Sequence, residues 1–170
     1  GDKMEKTSSW EPRDFFNTGA TFNNSFNLSM GTEKNQTYIS ASAVNSTGMV
    51  ENNKYHRYNV TFRNTAKFLK DKLTLDVSAS YVREFYFNPI VGAYLYPRGM
   101  NFESEKYFER YNNELGYNKQ SWQPGGMGMD VQNPYWIAYR NLRPEAKDRY
   151  MLYANLKYDI TEYLNVAGRA

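Results

Sequence analysis

The sequence predicts an all-β chain of antiparallel up-and-down strands, a partial segment of a transmembrane β-barrel with one long extracellular loop. Three observations predict it. Apolar residues recur with a period of two, short and long connections alternate along the chain, and the strands are long. Side chains on a strand point alternately to its two faces, so a period of two gives one apolar and one polar face. Successive turns of an up-and-down sheet lie at opposite ends. Strict short–long alternation therefore puts every short turn at one end, which is the asymmetry of outer-membrane barrels. A tilted membrane-crossing strand needs about 9–11 residues, whereas soluble strands cluster near about 5–6.

The elements follow in order. From Ala20 to Met30 the even positions are apolar except Asn24, and every odd position is polar. In 36–45 the alternation is weaker: Ile39, Ala41 and Ala43 oppose Ser40 and Ser42, while Tyr38 and Val44 break it. Tyr58, Val60, Phe62, Ala66 and Phe68 share one parity, against Arg57, Asn59, Thr61, Arg63, Thr65 and Lys67. Leu73, Leu75, Val77, Ala79 and Tyr81 oppose Thr74, Asp76, Ser78 and Ser80. Tyr150, Leu152, Ala154, Leu156 and Tyr158 oppose Arg149, Tyr153, Asn155 and Lys157, with Met151 as the exception. Leu164 and Val166 open a sixth strand. Aromatics at the ends of these rows (Tyr58, Phe68, Tyr81, Tyr158) suit a membrane–water boundary. The expected division is 1–17, an external loop leading into the first strand; 18–83, four barrel strands; 84–147, a long extracellular loop; and 148–170, a barrel hairpin cut in mid-strand.

Composition narrows the function. The 170 residues carry a net charge of +3, too mild to predict a nucleic-acid partner. The absence of cysteine excludes disulfides, Fe–S clusters and a thiol nucleophile. No apolar run approaches the roughly 20 residues of a membrane-spanning helix. A mean hydropathy of -0.81 is compatible with a barrel wall, where only every second residue meets lipid. The start, Gly1-Asp2-Lys3-Met4, lacks an apolar signal core. With the abrupt end at Gly168-Arg169-Ala170, it reads as a piece of something longer.

The segments 15–42, 52–76, 88–102, 133–142 and 156–170 together resemble the SusC/RagA-type TonB-linked outer-membrane transporters. The likeness is in FFNTGATFNNSFNLSMGTEKNQTYISAS, NNKYHRYNVTFRNTAKFLKDKLTLD, NPIVGAYLYPRGMNF, NPYWIAYRNL and LKYDITEYLNVAGRA. The resemblance implies a 22-stranded barrel in the outer membrane of Bacteroidetes, with an N-terminal plug and a contact with TonB. It implies a SusD-like surface lipoprotein as partner, and import of oligosaccharides or peptides. This chain shows no plug and no TonB box, so alone it would supply wall and loop only. Two other readings stay open: a soluble β-sandwich serving as a carbohydrate-binding module, and a passive porin-type barrel.

Candidate site residues fall in two groups. Asn23, Asn27, Asn59, Arg63, Asn155 and Lys157 lie on the polar parity and are candidates to face the barrel lumen. The competing reading is a wall wetted by water or covered by the plug. Arg57, Arg63 and Lys67 form either a stripe for an anionic ligand or a set of ion pairs. In the long loop Tyr94, Tyr96, Arg98, Trp122, Trp136 and Tyr139, with Tyr135, are candidates for substrate or lid contact. Aromatic faces stack on sugar rings and anchor interfaces; the alternative is that they form the core of a small subdomain. An enzyme is not expected. His56 is the only histidine, and Glu103 and Glu105 lack the spacing logic of a glycosidase pair. Gly125-Gly126-Met127-Gly128 lacks the strand–turn–helix setting of a phosphate loop. The five Asn-x-Ser/Thr sequons, at Asn23, Asn27, Asn35, Asn45 and Asn59, follow from Asn- and Ser-rich polar faces. No cofactor and no metal are expected.

Overall fold

The computed structural model describes residues 12–87, 102–122 and 132–170. The described chain is all-β with one short helix, and its strands form two antiparallel sheets. The larger sheet has the order β1-β2-β3-β4-β7-β8. Its strands are β1 (Ala20–Gly31), β2 (Asn35–Thr47), β3 (Lys54–Phe68), β4 (Leu73–Phe87), β7 (Pro144–Asp159) and β8 (Asn165–Arg169). The smaller is the hairpin β5 (Glu109–Asn112) and β6 (Tyr117–Gln120), and α1 spans Pro134–Arg140. The sheet is open, with β1 and β8 as its edges. Contacts divide the chain into two compact units. One comprises Thr21–Ser46, Tyr55–Phe85 and Ala146–Ala170, and is called the sheet unit here. The other comprises Gly1–Ala20, Thr47–Lys54 and Tyr86–Glu145, and is called the loop unit.

Neighbouring strands in the sheet unit keep their parities in phase. Arg57 and Glu84 meet on one face, as do Arg63 and Asp76, and Thr21 and Ser46. On the other face His56 stacks on Phe85, and Tyr81 on Tyr150. The apolar parities of β1, β3, β4 and β7 therefore join into one surface, and the polar parities into another. Strands β3, β4 and β7 run further than their clean alternation suggests, because the row changes chemistry rather than direction. Phe85, Arg83 and Asp148 continue the same faces with less regular residues.

The three short turns share one end. The Lys67 amide donates to the Lys34 carbonyl at 2.8 Å, and the Asp159 amide to the Lys72 carbonyl at 2.8 Å. The first turn needs its glycine: a Cβ on Gly31 would lie 2.1 Å from the Asn35 carbonyl oxygen. The second uses three consecutive left-handed residues, Leu69, Lys70 and Asp71.

No second layer covers this sheet among the described residues. Only Ala66 and Val82 of the sheet unit are buried apolar side chains. The loop unit, by contrast, has a core of its own. Phe15 and Ala138 are buried, with Val50, Trp122 and Tyr135 packed around them. The long connection is thus not structureless. It holds a 3₁₀ turn at Phe102–Lys106, the β5–β6 hairpin and α1. No described helix is long and apolar enough to cross a membrane, which says nothing of a wall built from strands.

Candidate functional site

The polar face of the sheet unit gathers the candidates that the alternation placed there. Asn27 accepts a hydrogen bond from the Tyr38 hydroxyl at 3.0 Å. Arg63 grips Asp76 through two bonds, Nε to Oδ1 at 3.0 Å and Nη2 to Oδ2 at 2.6 Å. Thr65 donates to the same carboxylate. This fork-to-fork geometry gives strength and a fixed orientation. Arg57 lies 3.5 Å from Glu84, and Lys157 lies 2.9 Å from Asp159. Of the stripe Arg57, Arg63 and Lys67, two cations are therefore held by cross-strand carboxylates. Asn155 stands opposite Arg169 in the β7–β8 ladder. Asn23 is exposed on β1. The Asn59 Oδ1 is buried and meets no donor among the described residues. Sequence reasoning missed Tyr153, whose ring lies 5.9 Å below the Arg169 guanidinium. Its signal, a tyrosine on a polar parity, is easily taken for an interruption. A groove of about 1170 Å³, lined by Ser29, Tyr38, Thr61, Arg63, Thr65 and Ser78 among others, opens on this face.

The opposite face is apolar and bare. Phe22, Phe26, Val60, Phe62, Leu152, Leu156 and Val166 are all exposed, Leu152 to 81%. Toward the end away from the short turns the surface changes in a fixed order. First come rings, with Tyr81 stacked on Tyr150 at 4.8 Å. Then come polar groups. The Tyr81 hydroxyl donates to Asp148 at 2.6 Å, Arg83 approaches Asp148, and His56 and Tyr58 share the Asn45 Oδ1. Polar side chains of β2 and β3 interrupt the apolar face near the short turns. Asn64 is satisfied there by Asn35, Thr37 and the Gln36 carbonyl.

In the loop unit the aromatics divide. Trp122 and Tyr135 pack on the Phe15–Ala138 core. Trp136 meets Phe108 edge-on, and Tyr139 stacks flat on Phe108 at 5.4 Å with part of its surface open. The subdomain alternative thus describes Trp122 and Tyr135, and Tyr139 is left partly available. Tyr94, Tyr96 and Arg98 lie outside the described residues, as does the glycine run 125–128.

The centre of the loop unit is a buried polar lock. Asn133 is 0% exposed and Glu105 2% exposed. The Asn133 amide nitrogen donates to the backbone carbonyls of Ser121 at 2.8 Å and Glu105 at 3.0 Å. Its Oδ1 accepts from the Tyr135 amide at 2.9 Å, which caps α1. Asn-Pro at this point is a readable helix start, with Asn as the cap and Pro in the first turn. Asn52 reaches across to the Ala138 carbonyl at 2.9 Å. The hairpin is tied to the helix by Glu109 and Arg140, paired at 2.7 and 2.8 Å. The hydrogen bond from Arg140 holds the Glu109 carboxyl below its ordinary range and raises Arg140 in turn. Burial, then the nearby Glu51 charge, pushes the Tyr139 phenol up.

None of these arrangements forms a catalytic set. His56 is engaged by Asn45, and Glu105 is part of the lock. Among the described residues no group of three or more His, Cys, Asp or Glu side chains is placed to hold a metal ion. No family model matches the chain, and no curated protein matches its sequence.

Proposed function

We propose that this chain is part of the wall, and one external loop, of an outer-membrane β-barrel that imports nutrients. The barrel is of the TonB-dependent SusC/RagA type. One observation carries the reading: a six-stranded, single-layer sheet presents a continuous apolar face that nothing covers among the described residues. In water, large apolar patches are sites of association or aggregation. In a bilayer the same face is solvated by lipid.

The dimensions suit that use. Tyr58 to Phe68 covers ten residue steps, about 34 Å along the strand. At the ~40° tilt of outer-membrane barrels this becomes about 26 Å, against an apolar band of about 25 Å. Rings lie at both ends of the row, as amphipathic aromatics do at membrane boundaries. A soluble sandwich would need a second sheet over the apolar face. The porin alternative shares this wall and differs only in parts of the protein beyond it.

On this reading the polar face lines the lumen or meets the plug. The loop unit is extracellular and offers Tyr139 to a SusD-like lipoprotein lid or to substrate. The substrates are oligosaccharides or peptides, and the energy comes through TonB. The test is fractionation of the complete protein that contains this chain. It is expected in the outer-membrane fraction, resistant to alkaline washing and released only by detergent. Recovery in the aqueous fraction without detergent would overturn the proposal.

A further inference from the structure

Charge is distributed unevenly over the polar face of the sheet unit. Of the carboxylates on the polar parities, Asp76, Glu84 and Asp159 are each held by a cation of the same face, and Glu145, two residues before Lys147 on β7, accepts from the Tyr86 hydroxyl. Further cations have no carboxylate partner among the described residues: Lys147 and Arg149 on β7, Arg169 on β8 and Lys67 on β3. All four are exposed. Three of them follow one line. Lys147 and Arg149 are two residues apart on the polar parity of β7. Arg169 stands opposite Asn155 further along the same strand. Lys147 to Asn155 is eight residue steps, about 27 Å. The Arg169 guanidinium lies over the Tyr153 ring, which fixes one face of it.

We propose that the polar parity of β7, joined by Arg169 of β8, is a track for an extended polyanion, and that the polyanion is an acidic oligosaccharide. The proposal rests on this face being a channel wall, and it names the substrate class of that wall. Closed ion pairs cannot serve an incoming anion without losing their own partner; the unpaired cations can. Their linear spacing suits a chain with repeated charges rather than a single compact anion.

The groups around the cations favour a sugar chain over an acidic peptide. Tyr153 and Asn155 lie between them, and Ser78 and Ser80 lie on the polar parity of neighbouring β4. Hydroxyls and amides both donate and accept, as sugar hydroxyls require. Extended peptides are held chiefly by a free strand edge and by side-chain pockets. The cations of the track stand on a strand face rather than along an edge, and over Asn155–Asp159 the β7 edge is taken up by β8.

The experiment measures equilibrium binding to the complete, detergent-purified protein. The probes are oligogalacturonate, a neutral malto-oligosaccharide of equal length, and oligoglutamate. Oligogalacturonate is expected to bind best, with affinity falling as salt rises. The triple variant Lys147→Gln, Arg149→Gln, Arg169→Gln should lose about tenfold for oligogalacturonate and leave the neutral sugar unchanged. Removing the same number of charges from the short turns (Lys34→Gln, Lys70→Gln, Lys72→Gln) should change neither.

Equal binding of charged and neutral sugars, or a triple variant that binds as the parent does, would overturn the track. Tighter binding of oligoglutamate would overturn the sugar assignment in favour of an acidic peptide. Each result can be obtained with the protein firmly in the membrane fraction. Failure of the track is therefore distinct from failure of the wall.

Discussion

The two units solve the problem of apolar side chains in opposite ways. The loop unit buries them in the ordinary manner, around Phe15 and Ala138, and seals the centre with Asn133 and Glu105. The sheet unit leaves them outside on a face nothing covers. A chain that could build a packed core around a helix of seven residues did not build one beneath a sheet of six strands. On the proposed reading the sheet's apolar face meets lipid, while the loop unit buries its rings away from water.

The same kind of substitution should therefore act differently in the two units. The largest effect is expected for Phe15→Ala. A buried ring lost from a small core costs about 3–5 kcal/mol. Limited proteolysis of the complete protein should then cut within 102–143, while the strands stay protected. Strands that become equally sensitive would mean the units do not fold independently.

Phe62→Arg comes next. Near the bilayer midplane a cation on the lipid face costs about 2–4 kcal/mol. In water, at a side chain already exposed, it should cost almost nothing. The measured quantity is the yield of folded protein in the outer membrane. A yield equal to wild type would place that face away from lipid.

Asn133→Ala should cost about 2 kcal/mol, from a lost cap and the unpaired buried carbonyls of Glu105 and Ser121. Hydrogen exchange in α1 should rise, and exchange in β3 and β4 should not. Exchange that rises throughout would erase the contrast between the units.

The smallest effect concerns acid. The folded-state carboxyl of Glu109 titrates below the ordinary unfolded value of about 4.3. Its contribution is therefore complete above that value and is lost as pH falls through the folded pKa. The protection of β5, its exchange relative to the intrinsic amide rate at each pH, should fall below about pH 4. In Glu109→Gln that protection should already be low and constant with pH. Wild-type protection that stays constant down to about pH 2 would remove the Glu109–Arg140 tie from the account.

Much of the sheet was legible because a strand writes its two faces on alternate residues. Phe22, Phe26, Val60, Phe62, Leu152 and Leu156 could be assigned to one surface from parity alone. Less could be read where the pattern depends on partners distant in sequence. Arg57, Arg63 and Lys67 read as either an anion stripe or a set of ion pairs; Arg57 and Arg63 prove paired, but their partners Glu84 and Asp76 lie on the next strand, and parity does not reveal which carboxylate meets which cation. The loop unit was hardest. Its core joins Phe15, Val50, Trp122 and Ala138, which no local period connects. The helix start at Asn133-Pro134 was nonetheless written in the sequence, as cap and first turn. Tyr135 and Tyr139 are four residues apart and share one helix face, so periodicity does not separate their roles; Tyr135 meets Phe15, and Tyr139 meets Phe108.

The hydrogen bond between Tyr86 and Glu145 bears on how fast the chain can fold. Four pairings of the sheet join strands adjacent in sequence: β1–β2, β2–β3, β3–β4 and β7–β8. β4 and β7, however, pair across everything between Phe87 and Pro144. Pairings so distant in sequence are the slow ones, because the entropy of closure is lost before the contacts form. Tyr86 and Glu145 both belong to the loop unit and are the two ends of its longest segment, Tyr86–Glu145. When that unit folds, it brings those ends together, and the β4–β7 register starts from a closed loop rather than an open one. The insertion that makes the topology long thus also shortens the search.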